Sequence, residues 1–264
     1  FVSGRELWRL EDIPRDYLKA FHADTDPYEL FTSRSNSVVP DPAGGDNHVL
    51  KVIYHKGSFN YHGATTGMLQ FYSRPTPRRT ALTLSYDIYF DPSFDFVLGG
   101  KLPGLWGGLT NCSGGRHSDD CFSTRFMWVR HGDGLVYAYI APPDQQAPEF
   151  CRNKKNECYS VYGYGLGRGN WRFRTGEWQN IAQYVKLNTP GRTDGVIRVW
   201  FNHKLVYEAN NVNIRRKDSV KIDGIFFSTF FGGNDLNWSP PHDVFACFKN
   251  FVLSTNPHHP VIVG

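Results

Sequence analysis

The run FSTRFMWVRHGDGLVYAYIA, residues 122–141, reads as two strands joined by a turn. In the first half Ser123, Arg125, Met127 and Val129 share one parity, while Thr124, Phe126 and Trp128 share the other. In the second half Leu135, Tyr137 and Tyr139 fall together, with Val136, Ala138 and Ile140 on the reverse. Side chains of a strand alternate between faces, so the turn decides which sets meet. A three-residue loop, His131 to Asp133, pairs Arg130 with Gly134, Met127 with Tyr137 and Arg125 with Tyr139, and places all odd residues on one side. A two-residue Asp133-Gly134 turn would reverse the parity and hide Arg125 behind the tyrosines. The odd loop is preferred because it collects Phe126, Trp128, Val136 and Ile140 into a core.

The same period recurs along the chain. Leu82, Leu84, Tyr86, Ile88 and Phe90 lie on one parity of Ala81 to Phe90. Val196 to Phe201 and Lys204 to Glu208 flank Asn202-His203, a two-residue hairpin turn. Asp223 to Phe231 is a dense aromatic run closed by Gly232-Gly233, and Phe245 to Leu253 reads as a core strand. Helical periodicity is confined to Asp12 to Ala23. With 16% aromatic residues, 26 glycines, 16 prolines and 2 methionines, the composition favours short strands and tight turns over long helices. No repeat, linker or compositional break divides the 264 residues. The expectation is an all-β fold: a single β-jelly-roll domain over 1–264, two antiparallel sheets and a concave cleft.

A net charge of +4 does not mark a nucleic-acid binder, but a mildly positive field would concentrate a polyanion. No stretch approaches the roughly 18–20 apolar residues that span a bilayer. Five cysteines include two close pairs in polar stretches, Cys112 with Cys121 and Cys151 with Cys158. Neither pair has zinc-type spacing, so two loop-closing disulfides and an oxidising compartment are expected. Cys247 is left over in the apolar run Val244 to Phe251 and is expected to be a buried thiol. Asn111-Cys112-Ser113 and Asn237-Trp238-Ser239 fit the N-x-S sequon. Together with a chain that starts at Phe1 rather than Met, these features point to secretion after loss of a signal peptide.

Chemistry concentrates between residues 96 and 141. Gly99-Gly100-Lys101-Leu102-Pro103-Gly104-Leu105 reads as a glycine-rich turn that leaves Lys101 clear of its neighbours. The plainer alternative is a solvated loop lysine. The odd face of the hairpin then gathers Ser123, Arg125, Tyr137 and Tyr139; its plainer alternative is a surface ladder of tyrosines over an arginine stem. Those residue types suit removal of the C5 proton of a sugar uronate, which builds negative charge on the adjoining carboxylate. Arg125 or Lys101 would stabilise that charge, with Ser123 adding a hydroxyl. A tyrosine whose pKa is drawn down by the cations could take the proton and protonate the departing O4. In mannuronate and glucuronate those two positions share one ring face, so one tyrosine could do both.

The ordered set Gly-Gly-Lys-Leu-Pro-Gly-Leu, Ser-x-Arg and Tyr-x-Tyr resembles polysaccharide lyase family 14, the alginate lyases of molluscs and algal viruses. The resemblance implies a jelly roll with Lys101, Ser123, Arg125, Tyr137 and Tyr139 in its active cleft. It further implies β-elimination on alginate, mannuronate-rich by preference, with no cofactor and no obligatory metal. The expected partner is an acidic polysaccharide, with no nucleic acid and no membrane, and the chain is expected to act as a monomer. Extracellular action follows, in digestive fluid for a mollusc enzyme. Glucuronan as substrate, and a module that binds acidic polysaccharide without cutting it, are the alternatives.

Tyr162, Tyr164 and Trp171, in and beside the glycine-rich Gly163 to Gly169, are candidates for stacking on sugars. Asn234, Asp235 and Trp238 read as structural, His55 and His62 as surface histidines, and His258-His259 as a tail. A two-carboxylate hydrolase would carry Glu-x-Asp-x-x-Glu on a strand, which is absent.

Overall fold

The computed structural model describes residues 4–24, 30–32, 35–60, 67–159 and 161–259. In chain order the first strands are β1 (Glu6–Leu10), β2 (Phe31–Thr32), β3 (Ser37–Pro40), β4 (His48–Tyr54), β5 (Met68–Ser73), β6 (Ala81–Phe90), β7 (Gly99–Gly108) and β8 (Cys121–Val129). They are followed by β9 (Gly134–Tyr139), β10 (Asn156–Glu157), β11 (Tyr164–Leu166), β12 (Trp178–Lys186), β13 (Gly195–Phe201), β14 (Lys204–Val212), β15 (Gly224–Phe231) and β16 (Val244–Ser254). The front sheet runs β10-β11-β9-β8-β7-β15-β5-β2, and the back sheet runs β14-β13-β12-β6-β16-β4-β3 with β1 on β16. Pairing is antiparallel within both, which gives the jelly-roll sandwich expected.

Period-2 patterning explains the core. Leu84, Tyr86, Ile88 and Phe90 of β6 face Phe126 and Trp128 of β8, Val136 of β9 and Phe227 and Phe231 of β15 in one apolar cluster. Each such side chain stabilises the fold by about 1.5–3 kcal/mol when fully buried. The Asn202-His203 turn forms as expected, with φ of 46° and 65° and Phe201 opposite Lys204. The helix expected over residues 12–23 shrinks to one turn, α1 (Tyr17–Ala20). Pro14 precedes it and His22, at φ 52°, ends it. A second short helix, α2 (Pro148–Arg152), was not expected.

Two expectations about the strands that carry the chemistry do not hold. The β8–β9 pair keeps the expected parity but slips by two residues: Arg125 lies opposite Tyr137, Ser123 opposite Tyr139, and Met127 opposite Leu135. A 3₁₀ turn over Arg130–Gly132 lengthens the connection, with His131 at φ 63° and Gly132 at φ 83°, and the Val129 amide donates to Asp133 O at 2.8 Å. The lysine segment, expected to be a turn, is the central strand β7, paired with β8 on one side and β15 on the other. Gly100 leaves room for the Trp128 ring: a Cβ there would sit 2.1 Å from it. Pro103 survives inside the sheet because it occupies a bulge, where Pro103 and Gly104 together oppose the single residue Arg125.

Candidate active site

The front sheet has an apolar inner face and a polar outer one. The bulge keeps both Leu102 and Leu105 in the core while Lys101 and Trp106 stay outside. On that outer face Lys101, Ser123, Arg125, Tyr137 and Tyr139 come from three adjacent strands, β7, β8 and β9.

Lys101 is only 8% exposed. Its Nζ lies 3.3 Å from Met127 Sδ, its register partner, and 4.1 Å from the centroid of the Tyr137 ring. Among the described residues no ion pair involves it. Burial, and then the Arg125 charge, push its pKa down to about 7. Arg125, 2% exposed, donates from Nη1 to Ser228 Oγ at 3.0 Å, and Ser228 in turn donates to Gln70 Oε1 at 3.0 Å. Ser228 lies on β15, two strands from β8, so the guanidinium crosses β7 where Gly104 carries no side chain. Its Cζ rests 4.5 Å from the centroid of Phe226, the register partner of Gly104. Cation–π contact of this kind holds a guanidinium in place without neutralising it.

The tyrosines divide. Tyr137 is half-buried, faces Arg125, and receives a hydrogen bond from the Gly163 amide. Tyr139 is 1% exposed, and its hydroxyl accepts from the Gly115 amide at 2.8 Å and lies 3.4 Å from that of Tyr137. The expected lowering of tyrosine pKa does not occur at Tyr137. Burial first, and then Tyr139, push it up beyond what Arg125 takes off, so the phenol stays protonated. Ser123 is also buried and donates to Cys112 O at 2.7 Å, so its proton is already engaged.

The Cys112–Cys121 disulfide forms as expected, and so does Cys151–Cys158. The first closes the loop that brings Gly115 onto Tyr139. A hollow of about 200 Å³ opens beside it, lined by Tyr139, His117, Tyr159 and Arg216. Gly163 presses on both phenols, since a Cβ there would come within 2.9 Å of Tyr139 and 3.1 Å of Tyr137. Cys247 is buried as expected, its thiol pushed up to about 12 by burial. Of the sequons, Asn237 is exposed and Asn111 half-buried.

Of the stacking candidates only Tyr162 is outward, at 48% exposure. Tyr164 and Trp171 belong to the sandwich core: Tyr164 pairs with Ala138 and donates to Ala141 O at 2.7 Å, and Trp171 packs on Phe126. The parity of β11 turns Tyr164 inward, which a glycine-rich reading did not reveal. His55 is held by Ser35 Oγ at 2.8 Å and Asp243 at 3.1 Å, and His62 lies outside the described residues. His259 is not a loose tail; it is buried and stacks on His203. Asp235 caps a 3₁₀ turn, and Trp238 packs with Met127, Val129 and Leu135 at one end of the site. Met127, Phe226, Ser228 and Gln70 were missed as site residues. A serine on the same parity as Phe226 and Phe230, within an aromatic strand, was the available signal.

Among the described residues no three His, Cys, Asp or Glu side chains converge to hold a metal, and no helix is long and apolar enough to cross a membrane. The family model of polysaccharide lyase 14 matches residues 42–251. The chain is similar to the marine PL-14 alginate lyase from Aplysia kurodai, at 34% identity over 96% of this chain and 100% of that one, with a TM-score of 0.82. It shares the fold of an alginate lyase from Chlorella virus, at 22% identity over 96% and 100% of the two chains and a TM-score of 0.77. The fold also matches an endo-β-1,4-glucuronan lyase from the fungus Trichoderma reesei, at 11% identity over 96% of each chain and a TM-score of 0.60. No curated protein matches the chain.

Proposed function

The chain belongs to polysaccharide lyase family 14, and on that premise we propose that it cleaves alginate by β-elimination, with Lys101, Arg125 and Tyr137 as the reacting set. The observation that carries this reading is the convergence of a guanidinium, an amine and a phenol on one sheet face. Arg125 lies opposite Tyr137, and Lys101 Nζ stands 4.1 Å from that tyrosine's ring.

Arg125, fixed by Ser228 and Phe226, binds the uronate carboxylate and stabilises the charge that develops when C5 loses its proton. Lys101, with a pKa near 7, is substantially unprotonated at neutral pH, and its Nζ takes that proton. The electron pair forms the C4=C5 bond, and O4 departs with the proton of Tyr137, whose raised pKa suits an acid better than a base. Return of the proton from the Lys101 ammonium to the Tyr137 phenolate resets the site. Tyr139 and Ser123, engaged by Gly115 and Cys112, hold the phenol pair and the disulfide loop. Tyr162, exposed at 48%, stacks on a neighbouring sugar.

Base and acid rise from one face, which favours substrates whose C5 hydrogen and O4 share a ring face. Poly-β-D-mannuronate is therefore the preferred polymer and glucuronan the second choice. Two disulfides support an extracellular setting. Action as a monomer and glycosylation at Asn237 and Asn111 complete the proposal. Incubation with mannuronate, guluronate and glucuronate polymers tests it. Rising ultraviolet absorbance from the conjugated C4=C5 bond is expected, fastest on the mannuronate polymer. New reducing ends without that absorbance would mean hydrolysis, and no product at all a binding module.

A further inference from the structure

The bulge that separates Lys101 from Arg125 is tied from behind, through the core, by the back sheet. Tyr86 of β6 is fully buried, and its hydroxyl donates to the Pro103 carbonyl at 2.9 Å. Gln183 of β12 is also fully buried; its Nε2 donates to Thr124 O at 2.8 Å and its Oε1 accepts from Thr124 Oγ1 at 2.7 Å. Both ties meet the irregularity itself: Pro103 is in the bulge, and Thr124, between Ser123 and Arg125, pairs with Leu105 at its edge. A buried glutamine in an apolar core is retained only where it is fully used, and here both ends of the amide act on one residue. Tyr86 and Gln183 share the inward face of neighbouring strands, with Tyr86 opposite Ile181 and Gln183 opposite Leu84.

We propose that Tyr86 and Gln183, on the sheet that carries none of the reacting groups, are positioning residues that fix the Pro103–Gly104 bulge and thereby the separation of Lys101 from Arg125. Pro103 offers no amide to the ladder, and the register shifts both toward β8, between Leu102 and Leu105, and toward β15, between Phe226 and Phe230. Without the two ties, Lys101 and Arg125 would slide relative to each other along β7 and β8, and misplacement by about 1 Å lowers a rate by about 10²-fold.

The inference rests on the lyase reading, and the test keeps the two apart. Steady-state rates on poly-mannuronate are measured well below the melting temperature for the wild type, Tyr86→Phe, Gln183→Leu, Thr124→Val and Thr124→Ser. Tyr207→Phe is the comparison for stability alone, because Tyr207 makes a similar buried cross-sheet bond to Asn156 at 2.8 Å, on the edge strand β10. Tyr86→Phe, Gln183→Leu and Thr124→Val are expected to lower kcat by about 10- to 100-fold with KM within about twofold. Each should also move the pH at which the rate rises. Thr124→Ser keeps the hydroxyl and should restore both, while the Gln183→Leu/Thr124→Val double variant should be no slower than the slower single. Tyr207→Phe should melt earlier yet keep kcat and the pH profile. Wild-type kcat and pH profile in Tyr86→Phe and Gln183→Leu would overturn the proposal, as would an equal kcat loss in Tyr207→Phe. A wild type that forms no unsaturated product from any polyuronate would sink the lyase reading, and this one with it, before any variant is made.

Discussion

The two outer faces of the sandwich both carry charge and both have a hollow, yet they are built on opposite rules. On the back sheet the hollow is the larger, at about 510 Å³ against about 200 Å³. The charged groups on that face are matched: Arg9 pairs with Glu6 and Glu11, and Arg198 with Glu208. On the front sheet Lys101 meets a thioether and a ring face. An amine held by such soft contacts keeps its lone pair for a substrate, whereas a matched ion pair has already spent its charge. Matching, rather than cavity size, sets the proposed working face apart from the other.

The comparison breaks most readily at the cations. Arg125→Ala and Lys101→Ala are each expected to lower kcat by about 10²- to 10³-fold, read as initial absorbance rates at saturating polymer; rates within a few-fold of wild type would erase the difference between the faces. Tyr137→Phe should stop turnover while Tyr139→Phe slows it by about 10-fold, because only Tyr137 is accessible to donate. Equal losses would return both phenols to one role.

A smaller effect lies in pH. Because Lys101 is depressed to about 7, kcat/KM should rise with pH through that value, and a flat profile from pH 6 to 8 would remove the lysine as base. Stability follows the same group. Between about 7 and the ordinary lysine value of about 10.4 the unfolded chain binds the extra proton, so Lys101 lowers stability most below pH 7 and least above 10.4. Lys101→Met should therefore raise the melting temperature by at least about 2–4 °C at pH 6, the shift expected for about 1 kcal/mol, and by less at pH 10.5. A gain that does not depend on pH would mean that the lysine is not desolvated. The smallest activity change belongs to the back face. Asp87→Asn should leave kcat within about twofold while lowering the melting temperature, and a large kcat loss there would void the distinction.

Much of this was legible in one dimension. The alternation in residues 81–90 and 122–141 placed the core faces, and the two disulfides followed from spacing and polarity. What stayed hidden was long-range. The β8–β9 slip depends on a 3₁₀ turn with His131 in the left-handed region, which alternation cannot encode. The strand nature of β7 depends on partners from β8 and β15, and a proline among glycines disguised it as a turn. Tyr164 and Trp171 were misplaced for a related reason: aromatic rings beside glycines look alike whether they cover a cleft or fill a core. Ser228 was invisible until β15 was seen two strands from Arg125.

The bond between Cys112 and Cys121 ties the site to the redox setting of the chain. It encloses a short loop whose closure contributes about 2–3 kcal/mol by restricting the unfolded chain. That loop supplies both the amide that steadies one phenol and the carbonyl that anchors the neighbouring serine. In a reducing cytoplasm the clasp would stay open and the phenol pair would be slack. Full cutting power would then arrive only once the chain had met an oxidising setting.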